Sequence, residues 1–344
     1  MQTIVSTVPQ PESGRVALSF SSTLPRQVVH RHAIHEVFVT DAAELPDGTV
    51  RCVGQLPRTH SYFSDQSAEK PSYDIVLLTE VFRQAQFVMC HNYLGVPLDE
   101  KFIFVDGDVA IEPSALEVGE EPARAQIDIR IVERFHRKEV LNGITVAMEM
   151  TVDGIPAASK RMSARWMSTS SWNKLREKGR AQLDFSGIRQ QPTSCWIEPA
   201  TVGRTSRRNV VVGGISVVDE GISGALIVNQ RHPSLFDHPL DHVPAMLMFE
   251  AFRQIGLAVS PMFTFRPGAS FVVKRYACDF VRFCELEFPT CFRVESGSVV
   301  HDASGDVICI PIEIVQLGEV VAKAEVEIGY EGVYQKAPMM ALSS

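Results

Sequence analysis

Residues Tyr73 to Gln84 read YDIVLLTEVFRQ, and residues Val243 to Gln254 read VPAMLMFEAFRQ. The two align without a gap, placing Glu80 on Glu250, Arg83 on Arg253 and Gln84 on Gln254. The likeness extends upstream, where His60-Ser-Tyr-Phe-Ser-Asp65 corresponds to His232-Pro-Ser-Leu-Phe-Asp237. Self-similarity over this length marks an internal repeat. Both stretches are apolar on nearly every side, continuing through Phe87, Val88 and Met89 in one and Ile255 and Leu257 in the other. A helix that is hydrophobic all round is a buried one.

The same order of elements surrounds each helix. Two β-like runs precede it, at 36–40 and 49–55 in the first half and at 209–218 and 224–229 in the second. The helices are expected at about 73–94 and 243–259. Four runs rich in β-branched residues follow each: 102–111, 125–132, 144–152 and 157–166, then 270–280, 291–300, 307–315 and 320–330. Asp153-Gly154 and Ser304-Gly305-Asp306 read as hairpin turns, and Asp106-Gly107-Asp108 as a bulge or turn. One long helix followed by an antiparallel meander predicts an α+β protein with a tandem (double) hotdog fold, each half a curled sheet wrapped around its helix. The expected limits are 1–166 for the first hotdog domain, 167–204 for a connector, 205–334 for the second and 335–344 for a tail. The first 25 residues or so are expected to be loosely held. Within the connector, Ser170-Ser171 reads as the cap of a short helix, 172–178, ended by Gly179.

Composition narrows the class. The chain is 45% hydrophobic and 22% charged, ordinary for a globular protein with a full core. A formal charge of −8 without long runs of one sign does not favour a nucleic-acid partner. No stretch approaches the roughly 18 apolar residues of a membrane span, and Met1 to Gly14 lacks a secretory pattern. The seven cysteines form no C-x-x-C pair, so reduced thiols in a cytoplasmic protein are expected. No Walker loop, G-x-G-x-x-G or G-x-S-x-G occurs, which argues against nucleotide-dependent chemistry and the common serine hydrolases.

Glu80, Arg83 and Gln84 share one helix face, as do Glu250, Arg253 and Gln254. A carboxylate on an apolar helix is costly unless paired or functional. Each Glu is therefore either a general base, its pKa raised by an apolar setting, or half of a structural Glu–Arg pair. His60 and His232 precede the helices at matching positions, and His238 and His242 crowd the second helix start. These histidines could relay protons or bind substrate, or bond to loop backbone. A zinc site from His232, His238 and His242 fits no standard spacing. The helix start near Val243 offers N–H groups to a thioester carbonyl or a phosphate, and Asp241 reads as its N-cap. Arg204, Arg207 and Arg208 form a basic cluster that could meet a phosphopantetheine phosphate or an acidic carrier, or simply a solvated loop. Lys274 and Arg275 lie on a strand and could face either side.

Several blocks together resemble the A-factor biosynthesis proteins, the AfsA-type γ-butyrolactone synthases of actinomycetes. They are Val29-His30-Arg31 with Glu36-Val37-Phe38-Val39-Thr40-Asp41, Gln55 to His60, Leu77 to Gln84, His91 with Gly95-Val96-Pro97-Leu98, and His232 to Gln254. The resemblance covers most of 29–330; around Lys274 and Cys278 no motif matches. It implies an acyltransferase that condenses a β-ketoacyl group, carried on acyl carrier protein or coenzyme A, with dihydroxyacetone phosphate. The ester then closes to a butenolide phosphate, a precursor of butyrolactone or furan signals. It places catalysis on Glu80, Glu250 and Arg253, to which His242 is added as a catalytic candidate. The expected substrate-binding residues are His60, Arg83, Gln84, His232, His238 and Gln254. No metal or cofactor is called for, no membrane or nucleic-acid partner, and the state is a monomer or homodimer. The competing readings are a hotdog dehydratase, hydratase or thioesterase on carrier-bound acyl groups, or a non-catalytic carrier-binding module.

Overall fold

A computed structural model describes residues 17–68, 70–186, 196–219, 221–264 and 270–330. The first half runs β1 (Val39–Glu44), β2 (Val50–Leu56), α1 (Ile75–Val88), β3 (Lys101–Ile111), β4 (Ala123–Arg137), β5 (Val140–Val152) and β6 (Ile155–Met167). After α2 (Thr169–Arg180), the second half runs β7 (Val212–Val218), β8 (Gly221–Leu226), α3 (Ala245–Val259), β9 (Phe271–Phe280), β10 (Thr290–Glu295), β11 (Val300–His301), β12 (Val307–Gln316) and β13 (Glu319–Tyr330).

All described strand pairs are antiparallel. Their order is β1-β2-β4-β5-β6-β3-β9-β13-β12-β10-β8-β7, with β11 on β12. The second half repeats the first in reverse about the β3–β9 pair, whose register runs from Asp106 opposite Asp279 to Ala110 opposite Arg275. Two hotdogs thus share one continuous sheet, joined by backbone hydrogen bonds at the middle. α1 packs on β1, β2, β3, β4 and β6, α3 on β7, β9, β12 and β13, and the two helices touch each other.

The repeated apolar stretches become these two helices, each enclosed on all sides. Asp74 caps α1 by accepting from the Val76 amide at 2.8 Å. Beyond Val88, α1 continues as one π turn, Met89–Tyr93. The Asp153-Gly154 hairpin has positive φ at both residues, as a two-residue primed turn requires. Asp106-Gly107-Asp108 is regular β3 ladder, opposite Ser163, Met162 and Arg161, and not the expected bulge or turn; the register of β3 against β6 shifts just before it, between Phe104 and Asp106. Arg275, on β9, pairs with Asp108 and Glu327. The six described cysteines are free; Cys195 and the expected tail lie outside the described residues.

The connector needs correction. Its helix starts at Thr169, is capped by Ser168 and runs through Gly179 to Arg180. It is also docked: Arg176 pairs with Glu285 and Asp241, and the Trp172 indole donates to Asp241 at 3.1 Å. Buried cation–carboxylate pairs of this kind anchor the helix to the second half.

Candidate active site

Glu80 is fully buried on α1 and spends its carboxylate on three partners. Arg31 donates to it through Nε at 2.9 Å and Nη2 at 2.7 Å. Arg83 donates through Nε at 2.7 Å and Nη2 at 2.8 Å, and Gln84 through Nε2 at 2.7 Å. The second half repeats this. Arg204 reaches Glu250 at 2.8 and 2.6 Å, Arg253 at 3.1 and 3.0 Å, and Gln254 also donates to it. Gln84 then ties each network to backbone, accepting from the Phe38 amide and donating to the Glu36 carbonyl; Gln254 does the same with Val211 and Asn209.

These networks cross between halves. Arg31 donates to the Ser234 carbonyl, and Arg204 to the carbonyls of Tyr62 and Asp65. Asp237 accepts the amides of His32 and Ala33, and Asp65 those of Thr205 and Ser206. The arm 60–65 of one half therefore holds the segment that leads into the other, and the arm 232–237 returns the contact.

The carboxylates do not have the raised pKa expected of a base. Burial alone would raise Glu80 and Glu250, but Arg31 with Arg83, and Arg204 with Arg253, hold each at about 2. An anion this well compensated is a poor proton acceptor near neutrality. The reading of Arg204 as part of a solvated basic cluster is likewise overturned. It is fully enclosed, and its pKa is raised: burial would lower it, but the charges of Glu250 and Asp74 prevail. His60 and His232 order their own arms. Each Nδ1 accepts two backbone amides, Tyr62 and Phe63 in one case, Ser234 and Leu235 in the other. His232 also contacts Asn209 at 3.0 Å, and burial, then the Arg208 charge, lower it to about 4.

Two cavities border these networks. The larger, about 680 Å³, opens at the N-terminus of α3; it is lined by Arg31, Arg83, His238, His242, Pro244 and Met246 among others, with apolar walls from Phe104, Met248, Phe280 and Phe283. That size is typical of small-molecule sites. The smaller, about 380 Å³, lies at the N-terminus of α1 beside Asp74, Gly203, Arg253 and Leu257. Of the expected site residues, Arg83, His238 and His242 border the larger cavity and Arg253 the smaller. Glu80, Glu250, Gln84, Gln254, His60 and His232 border neither.

His242 has the geometry of an acid–base group. Its Nδ1 lies 2.6 Å from Asp241, and its ring is flanked by Trp172 and Phe283. Burial would raise the Asp241 carboxyl, but hydrogen bonds from His242 and Trp172 and the Arg176 charge hold it well below the usual range. An anionic partner on Nδ1 fixes the tautomer and leaves Nε2 basic. Asp241 is thus the partner of this ring and not the cap of α3, whose N-cap is Pro244.

Sequence reasoning missed three features. Arg31 and Arg204 lie far upstream of their glutamates, so helix spacing gives no sign of them. The repeat does carry one: Val29-His30-Arg31 aligns with Val202-Gly203-Arg204. His30 joins the larger cavity 2.8 Å from His91, lowered to about 3 by burial and then by Arg83 and His91. Lys160 is fully buried against the rings of Phe104 and Phe249, and burial lowers it to about 7.

Two curled antiparallel meanders, each around one enclosed helix and joined edge to edge, define a tandem hotdog protein. A solved structure assigned as an oleoyl thioesterase from Lactobacillus plantarum shares this fold, with a TM-score of 0.50 at 10% identity over 82% of this chain and 96% of that one. The chain belongs to the AfsA family, the A-factor biosynthesis hotdog domain, which matches at residues 15–168 and 186–329. A 2-oxo-3-(phosphooxy)propyl 3-oxoalkanoate synthase of Streptomyces virginiae is 30% identical over 80% of this chain and 88% of its own length. A protein of the same name from Streptomyces coelicolor is 27% identical over 77% and 80%.

Proposed function

We propose that this chain transfers a 3-oxoacyl group from a carrier-protein or coenzyme A thioester to the free hydroxyl of dihydroxyacetone phosphate, in the cytoplasm. The relatives' name describes the product of that reaction. The observation that carries the reading is the larger cavity. It joins an apolar wall, the His242–Asp241 pair, the open start of α3 and the Arg83 guanidinium in one space.

His242 Nε2 takes the proton of the acceptor hydroxyl as its oxygen attacks the thioester carbonyl. The C–O bond forms, the C–S bond breaks, and the proton passes to the departing thiolate. General base catalysis of this kind contributes about 10²–10⁴-fold. The acyl chain lies along Phe104, Met248 and Phe280. Glu80 and Glu250 act as positioning residues: each fixes two guanidiniums, and Arg83 is thereby presented to the cavity.

Incubating the purified protein with a 3-oxoacyl thioester and dihydroxyacetone phosphate, read by mass spectrometry, tests the assignment. A phosphorylated ester, or the butenolide phosphate derived from it, is expected. Free acid alone would make the protein a thioesterase, and an enoyl thioester would make it a dehydratase; either refutes the transfer.

A further inference from the structure

The two cavities occupy corresponding places in the repeat, and the residue that caps the helix at each is different. Each lies at the start of one half's central helix, beside the Arg that follows the buried Glu of the other half's helix: Arg83 at the start of α3 and Arg253 at the start of α1. Asp74 and Pro244 are the equivalent N-caps, with nearly the same backbone, φ −75° and ψ 142° against φ −69° and ψ 146°. Asp74 puts one carboxylate oxygen on the Val76 amide at 2.8 Å. The other lies 3.4 Å from Arg204 and 3.6 Å from Arg253. In the smaller cavity, then, a helix amide and two guanidiniums already hold an anion, supplied by the chain itself.

Pro244 has no side chain to play that part, and no side-chain cap reaches α3. Ala245 and Met246, the counterparts of Ile75 and Val76, form the first turn of α3 on the wall of the cavity that Arg31 and Arg83 also line. Arg83 is the most exposed of the four guanidiniums at 18%, and among the described residues its Nη1 donates to no protein group. Three carboxylates share the cavity wall: Asp237 is spent on the amides of His32 and Ala33, Asp241 on His242, Trp172 and Arg176, and Glu100 lies beside Lys101, while Glu36 is buried beside His60 outside the cavity. Helix-start amides together with arginines form an anion site. Arg31 and Arg83 share the Glu80 carboxylate, and Arg83 keeps a donor that a bound anion can take up.

We propose that the larger cavity holds the phosphate of the phosphomonoester acceptor where Asp74 places its carboxylate in the smaller one, cradled by Arg83, Arg31 and the first amides of α3. The smaller cavity is closed to that phosphate by its own carboxylate, so the chain has a single acceptor site. This rests on the reading of the acceptor as a phosphorylated alcohol.

The test transplants the plug. Pro244→Asp gives α3 the cap that α1 has, and Pro244→Asn supplies a similar shape without the charge. Binding of inorganic phosphate and of dihydroxyacetone phosphate to the full chain is measured by calorimetry, with the thermal midpoint as the check on folding. The wild type is expected to bind one phosphate per chain. P244D should keep or raise the midpoint, since Asp is a favoured N-cap, while weakening phosphate at least about tenfold relative to P244N. Two phosphates on the wild type, or equal binding by P244D and P244N, would overturn the proposal. Phosphate bound once and expelled by P244D, in a protein that makes no ester, would uphold this site while refuting the transfer reaction. An R83Q variant gives an independent arm: unchanged phosphate binding would also overturn the proposal.

Discussion

At the scale of single residues, the four arginines and two glutamates behave as sets. Removing one member leaves a buried charge short of its partner, which costs about 3–5 kcal/mol. Arg204→Met, which strips Glu250 of two of its hydrogen bonds, is therefore expected to lose stability of that order in urea unfolding. A loss below about 1 kcal/mol would mean that the pair is ornamental. Lys160 runs the opposite way. Its ammonium is held at about 7 by burial against a free value of 10.5, so folding disfavours its proton, and stability falls as pH drops from about 10.5 to about 7. Lys160→Met should gain about 1–3 kcal/mol and flatten that slope. A K160M variant less stable than the wild type at neutral pH contradicts this.

At the scale of elements, α2 is a wall of the site as well as a link. Arg176 grips Glu285 with two hydrogen bonds and touches Asp241, the partner of His242. Arg176→Ala should cost about 3 kcal/mol and speed amide exchange across 169–180; unchanged exchange there would show α2 to be anchored elsewhere. Sequence alone reads the two long helices well, because a helix apolar on every side has few other places to go. It reads α2 poorly. Its helical stretch is polar, and the docking partners, Asp241 and Glu285, are far along the chain. The same limit explains Arg204: a basic cluster in a polar stretch looks solvated until the fold brings Glu250 to it. The alignment of 29–31 with 202–204 was the one readable sign. His242 was visible as a candidate, but its pairing with Asp241 across adjacent residues depends on side-chain direction, which spacing does not give.

At the scale of the whole molecule, the halves are bound by the β3–β9 ladder and by exchanged arms. Both contacts are lost if either half leaves, so the chain is expected to unfold in one cooperative step. Tryptophan fluorescence and far-ultraviolet circular dichroism should give coincident urea transitions; two separated transitions would contradict the exchange. Acid should act through the depressed groups. Glu80 and Glu250 titrate at about 2 when folded, against 4.5 free, and His232 at about 4 against 6.5. Each lowered value means that the unfolded chain binds the proton first, so stability is full above the free value and falls as pH drops toward the folded one. Unfolding free energy should decline from about pH 6.5 downward, most steeply below about pH 4.5; a flat profile across that range would contradict it.

The claim that the acyl group changes hands in the cavity at the start of α3 meets its most direct test in the transfer rate of His242→Gln. That ring is partly exposed and packs at the cavity edge, so the variant should fold with stability within about 1 kcal/mol of the wild type. Transfer to dihydroxyacetone phosphate should fall by about 10²-fold or more. A folded H242Q protein that makes the ester at the wild-type rate would place the chemistry somewhere else.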